Sequence, residues 1–178
     1  MNGAEGTVAF NVHGIRLTVH HMTGEIRMLH SVQAADVGRL INPMQCRAQI
    51  DGAIAMAFGW ALTENMAYDG EGRMVNPTLR DYRIPTFADV PPTEVFFADT
   101  HDTIGPLGAK SHSECTINPV APAIANALAD ATGVRFPHSA VHPGPNLQQA
   151  LRLVEARRAR CWPALAARGR VDCDRAWS

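Results

Sequence analysis

The sequence predicts an α+β fold from three observations. A stretch of period-two alternation opens the chain and returns on itself across a Thr-Gly turn. A long helix with one apolar stripe follows an Asn-Pro cap, and a further strand and a second helix come after it. At 178 residues and 46% hydrophobic composition, the chain has enough apolar material for one modest domain.

The elements follow in order. Thr7 to Val19 alternates, with Val8, Phe10 and Val12 on one face. The phase slips at Gly14 before Ile15, Leu17 and Val19 continue it, which predicts a bulge at that glycine. Thr23-Gly24 supplies the turn, and Glu25 to Val32 reads as the returning strand of a hairpin. Asn42 is a good N-cap, Pro43 suits the first helical position, and Gln45 completes a capping-box pattern. Ile50, Ala53, Ile54, Ala57, Phe58, Ala61 and Leu62 then recur at helical spacing as one stripe. Gly52 and Gly59 each weaken such a helix by roughly 1 kcal/mol relative to alanine, which makes sense if a backbone or bulky ligand comes close there. Met44, Met56 and Met66 read as core filler. Tyr68 to Gly72 is turn material and Thr93 to Ala98 a strand. A second helix starts between Asn118 and Pro122, buries Val120, Ile124, Ala127, Leu128 and Ala131, and stops at Gly133. A third is expected from Asn146 to about Cys161, broken by Pro163.

Charge divides the chain unevenly. Its net charge is −1 and its pI about 6.7, yet the last 28 residues hold seven arginines against Glu155, Asp172 and Asp174. With the Pro/Gly-rich run His142 to Pro145, this sets an expected boundary: a domain over 1–145 and an Ala/Arg-rich tail, helical or disordered, over 146–178. The overall balance gives no sign of nucleic acid or an acidic membrane surface as partner. There is no run of about 20 apolar residues to span a membrane, and the first residues do not form a signal peptide. Cys46, Cys115, Cys161 and Cys173 are scattered without zinc-ligand spacing, as suits reduced thiols in the cytoplasm.

The richest chemistry lies in the loop Ile104 to Glu114. Its small residues permit close approach of backbone to a ligand, and a carboxylate at its end is placed to act as a base. Taken alone, the loop supports no more than a surface turn with Glu114 capping the next helix. His112, Glu114, Cys115 and His101 lack the spacing of a protein-ligated metal, and a His112–Cys115 dyad lacks an orienting group. His13, His20, His21 and His30 read as surface or strand-edge residues.

Six segments in succession change that balance: Asp36 to Pro43 (DVGRLINP), Gln49 to Gly52 (QIDG), Asp81 to Pro85 (DYRIP), Gly108 to Glu114 (GAKSHSE), Ala121 to Asn126 (APAIAN) and Asp130 to Arg135 (DATGVR). Together they resemble the C-terminal molybdopterin-binding region of the xanthine dehydrogenase/aldehyde oxidase family, from about Thr7 to Phe136. The resemblance implies the fold of part of that region, and a molybdenum–molybdopterin cofactor, in its cytosine dinucleotide form, held through the pterin rather than by protein ligands. It implies an oxidoreductase that hydroxylates an aldehyde or N-heteroaromatic with water-derived oxygen, with Glu114 as general base. Gln49 would hydrogen-bond near the pterin, and Gly108, Ala109, Lys110, Ser111, His112 and Ser113 would meet the cofactor. The implied partners are the remaining domains of the catalytic subunit and modules carrying iron–sulfur clusters and FAD.

Ser111 and Ser113 stand where many relatives have glycine, and Met56 where they have glutamine. Catalytic subunits of the family are several times longer. An incomplete gene with an out-of-frame or unrelated extension is therefore expected. The alternative to the enzymatic reading is a non-enzymatic remnant that keeps part of the fold without cofactor.

Overall fold

The computed structural model describes residues 7–20 and 22–135. The expected boundary at 145, the third helix, His21, Cys161, Cys173 and the arginine-rich tail lie outside the described residues. Strand β1 (Asn11–Val19) pairs antiparallel with β2 (Ile26–Ala35), and β2 pairs parallel with β3 (Thr93–Phe97), giving the order β1-β2-β3. Helix α1 (Pro43–Phe58), extended by a π-helical turn over Gly59–Thr63, and α2 (Val120–Thr132) complete the α+β architecture expected.

The core lies between the helices and one face of the sheet. Ile50, Ile54, Ala57 and Phe58 of α1 meet Val120, Ile124 and Leu128 of α2, together with Ala35 and Val37 at the end of β2. Burying each large aliphatic side chain stabilises the fold by roughly 1.5–3 kcal/mol. Helix α1 begins as its sequence dictates: Asn42 Oδ1 accepts from the Gln45 amide at 3.1 Å, with Pro43 in the first turn. Helix α2 ends at Gly133, whose φ of 73° is the left-handed C-cap a glycine adopts without strain.

Several expectations need correction. The alternation of β1 does not slip at Gly14: its inward residues run unbroken from Asn11 through His13, Ile15 and Leu17 to Val19. Val8, Phe10 and Val12 therefore face solvent, at 59%, 70% and 67% exposure. The bulge lies instead on β2, where Arg16 pairs with His30 and Leu17 with Met28, leaving Leu29 as the extra residue. Met44, Met56 and Met66 are exposed rather than core. At Gly52 an added Cβ would meet nothing, whereas at Gly59 it would collide with the Glu64 carboxylate and Pro85. At Gly59 what approaches is this chain's own side chains. His13, on the edge strand β1, is half-buried. Its Nδ1 donates to Gln33 Oε1 at 3.3 Å, and Ser31 Oγ donates to its Nε2 at 3.2 Å.

Candidate functional site

The end of β2 is where the 104–116 segment is mounted. After Ala35 the chain turns through Gly38, whose φ is 61°. A Cβ there would stand 2.4 Å from the Gly108 carbonyl oxygen and 2.8 Å from the Lys110 nitrogen, so only glycine fits. Backbone bonds cross this contact: the Arg39 amide donates to Gly108 O and the Lys110 amide to Val37 O, both at 2.8 Å. Gly108, at φ 85°, is likewise a required glycine, because the His101 imidazole occupies the space a Cβ would need. Its smallness serves this packing.

Beneath the crossing lies an ion pair. Lys110 Nζ meets Asp36 Oδ2 at 2.6 Å, and the two side chains are only 14% and 8% exposed. Thr100 Oγ1 and the Gly38 amide also donate to Asp36, and Lys110 Nζ donates further to the Val8 carbonyl. Burial pushes the Asp36 carboxyl up. The hydrogen bonds from Lys110, Thr100 and Gly38, with the lysine charge, outweigh it and hold the group down at about 2.

Past Lys110 the chain comes to the surface at Ser111 and Ser113. His112 between them donates from Nε2 to the Cys46 carbonyl at 3.1 Å and sets its ring edge-on to Phe97, while its Nδ1 is buried without a hydrogen-bond partner. A 3₁₀ turn, Glu114–Thr116, follows, and here a second anchor from β2 takes hold. The fully buried Gln33 donates from Nε2 to the Thr116 carbonyl at 3.1 Å. Burial lowers the pKa of His13, which backs Gln33, and its hydrogen bond to that amide acts the other way. Glu114 does not cap α2, which starts later, at Val120, with no side-chain cap.

Glu114 opens onto a groove of about 400 Å³ between α1 and this segment, lined by Gln49, Gly52, Ala53, Met56, Trp60, Ser113, Glu114, Ile117 and Asn118. Gln49, Ser113 and Glu114, from two distant parts of the sequence, thus share one surface. Gly108, Ala109, Lys110, Ser111 and His112 do not line it. The amides of Gly108, Ala109 and Lys110 are engaged with Gly105 O, Pro106 O and Val37 O. Trp60 and Asn118 were not singled out by sequence reasoning, because nothing local marks an exposed tryptophan or a pre-helical asparagine as groove-lining. A larger hollow of about 600 Å³ lies against Glu25, Ile26, Arg83 and Pro92; of its two carboxylates, Asp89 is engaged by Thr86 and Arg83.

Among the described residues no three His, Cys, Asp or Glu side chains could together hold a metal ion. The side chains of Gln49 and Glu114, both exposed, have no hydrogen-bond partner within the described residues. Met56 and Trp60 give the same groove an apolar flank.

Comparison with known proteins gives a consistent result. Residues 2–91 match the family described as molybdopterin cofactor-binding domain, a span that includes Asp36 and Gln49 and ends ahead of the Glu114 loop. The chain is 40% identical over 128 residues to the aldehyde oxidoreductase molybdenum-binding subunit PaoC of Escherichia coli, covering 71% of this chain and 18% of that protein. Among solved structures, quinoline 2-oxidoreductase from Pseudomonas putida superposes with a TM-score of 0.69 at 32% identity, over 74% of this chain and 17% of that one. The aldehyde oxidoreductase from Desulfovibrio desulfuricans gives a TM-score of 0.73 at 25% identity, over 80% of this chain and 15% of that one. The chain therefore spans under a fifth of the length of these relatives.

Proposed function

Because the chain belongs to the molybdopterin cofactor-binding domain family, as part of a molybdenum hydroxylase catalytic subunit, we propose that its groove forms one wall of the molybdenum site. In this reading the assembled enzyme hydroxylates an aldehyde or an N-heteroaromatic, R–H + H₂O → R–OH + 2e⁻ + 2H⁺. Glu114 is its general base. The observation that carries the proposal is that Gln49 and Glu114, far apart in sequence, line the same groove with side chains that no other described residue engages.

The cofactor, when bound, supplies the two-electron oxidation. This chain's residues supply the rest. The Glu114 carboxylate takes a proton onto one Oε from the water-derived oxygen as that oxygen attacks the substrate carbon. The Gln49 amide would hold the cofactor by a hydrogen bond near the pterin, helped by the Ser113 hydroxyl, with Ser111 and His112 nearby on the loop. Gly108, Ala109 and Lys110 carry the loop through its crossing with Gly38, and in this reading they bring it up to the cofactor.

The same reading takes the cofactor in its cytosine dinucleotide form, with electrons leaving to iron–sulfur clusters and FAD on partner modules. Residues 1–145 are the cofactor-binding part and 146–178 an appended tail. The free thiols Cys46 and Cys115 suit a cytoplasmic enzyme.

Replacing Glu114→Gln in the assembled molybdenum enzyme tests the assignment. Turnover should fall by about 10²- to 10⁴-fold, while molybdenum and pterin per polypeptide stay at the wild-type level. Turnover close to wild type rules Glu114 out as the base. An assembled protein that binds neither molybdenum nor pterin would favour a non-enzymatic remnant.

A further inference from the structure

We propose that Lys110, clamped to Asp36, is a positioning residue for Glu114: the buried ion pair fixes the loop that presents the carboxylate to the groove. This rests on the reading of Glu114 as the base and extends it to two residues that lie outside the groove lining.

The argument is geometric. Glu114 is strung between two anchors, and both belong to β2 and its immediate continuation. On the far side, Gln33 holds the Thr116 carbonyl at 3.1 Å. On the near side, Lys110 is the last residue of the loop in backbone contact with 37–39, its amide 2.8 Å from Val37 O. Its ammonium is drawn inward to Asp36 Oδ2 at 2.6 Å. Between the anchors, Ser111 and Ser113 are exposed, and the stretch is otherwise tied by His112, which donates to Cys46 O with its ring against Phe97, and by Cys115 Sγ and Thr116 Oγ1, which donate to the Ser111 and Ser113 carbonyls. The side chain of Asp36 is in turn oriented by Thr100 and by the Gly38 amide. An ammonium held by a carboxylate that is fixed from two other directions has few alternative positions, so the loop inherits the rigidity of the sheet. Removing the lysine charge leaves a buried carboxylate without its counter-ion. The loop must then shift to admit water, and Glu114 moves with it.

The experiment compares Lys110→Met, Lys110→Arg and the neutral pair Asp36→Asn with Lys110→Met. Amide hydrogen exchange is followed in the 178-residue chain, and kinetics are measured in the assembled enzyme. Lys110→Met should speed exchange across residues 111–116 by about tenfold or more, with α1 amides unchanged. In the enzyme, kcat per molybdenum should fall at least about tenfold, while KM changes by less than about threefold. Lys110→Arg, which keeps the charge, should recover most of both. If Lys110→Met does not fold, the neutral double variant replaces it. That variant should fold, because no charge is left buried, and should still show the local loosening. Exchange over 111–116 that stays at the wild-type rate in a folded charge-free variant overturns the proposal. So does a kcat per molybdenum that is unaffected while only thermal stability falls. If Glu114→Gln retains turnover but Lys110→Met still loosens 111–116, the base assignment fails and the clamp stands.

Discussion

Asp36 carries its negative charge almost out of reach of water, and three donors make that tolerable. Its folded pKa of about 2 lies below the ordinary value of 3.8, so the folded state holds this proton less tightly than the unfolded chain. The stability that results is fully present above pH 3.8, declines as pH falls between 3.8 and about 2, and is gone below that. Its size is on the order of 2 kcal/mol. Urea denaturation between pH 5 and 2 should show this loss, and Asp36→Asn should flatten it; an unchanged acid slope in the variant would assign the loss to other groups. At this scale the sequence was only partly readable. Gln49 and Glu114 stand in recognisable motifs. The Asp36–Lys110 pair joins positions far apart in the chain, and neither residue carries a local sign of its partner. The partners of His13 are hidden for the same reason: a histidine alternating along a strand gives no hint that Gln33 and Ser31 lie opposite it.

Among the elements, α1 was the most legible, because its cap, its proline and its stripe are all local signals. Asn42 offers its side-chain oxygen to the Gln45 amide at 3.1 Å. Asn42→Ala should cost about 1 kcal/mol, seen as a lower denaturation midpoint with an unchanged slope. No change in midpoint would mean that the Pro43 turn holds the start of the helix without the cap. The helix also shows where pattern reading stops. The apolar stripe through Ala61 and Leu62 continues across Gly59–Thr63, but the backbone there widens into a π-helical turn, and apolar spacing does not distinguish that from α-helix. In β1 the error came from reading hydrophobic as inward. Ala9, Asn11 and His13 face in while Val8, Phe10 and Val12 face out, so the polar residues mark the buried side.

The whole molecule followed from the order of its elements as far as the α+β class, but not to the mixed sheet. Nothing in Thr93 to Phe97 states that it lies parallel to β2 rather than beside β1. That choice is made by the chain passing over the sheet through α1 before it returns. The groove was legible only as motifs in order, since its two walls come from α1 and from the segment after Glu114. The relatives are more than five times as long as the matched stretch.

The central position of β2 also has a consequence in time. Its contacts with β1 close a short loop at Thr23-Gly24, whereas those with β3 and with the Glu114 segment join parts of the chain separated by all of α1. Long closures cost more entropy before any contact repays them. The hairpin should therefore gain protection first and the groove last. Pulse-labelled hydrogen exchange during refolding should find β1 and β2 amides slowed before those of Val95 and Ile117. Simultaneous protection of all four regions would instead describe a molecule that acquires its sheet and its groove in one step.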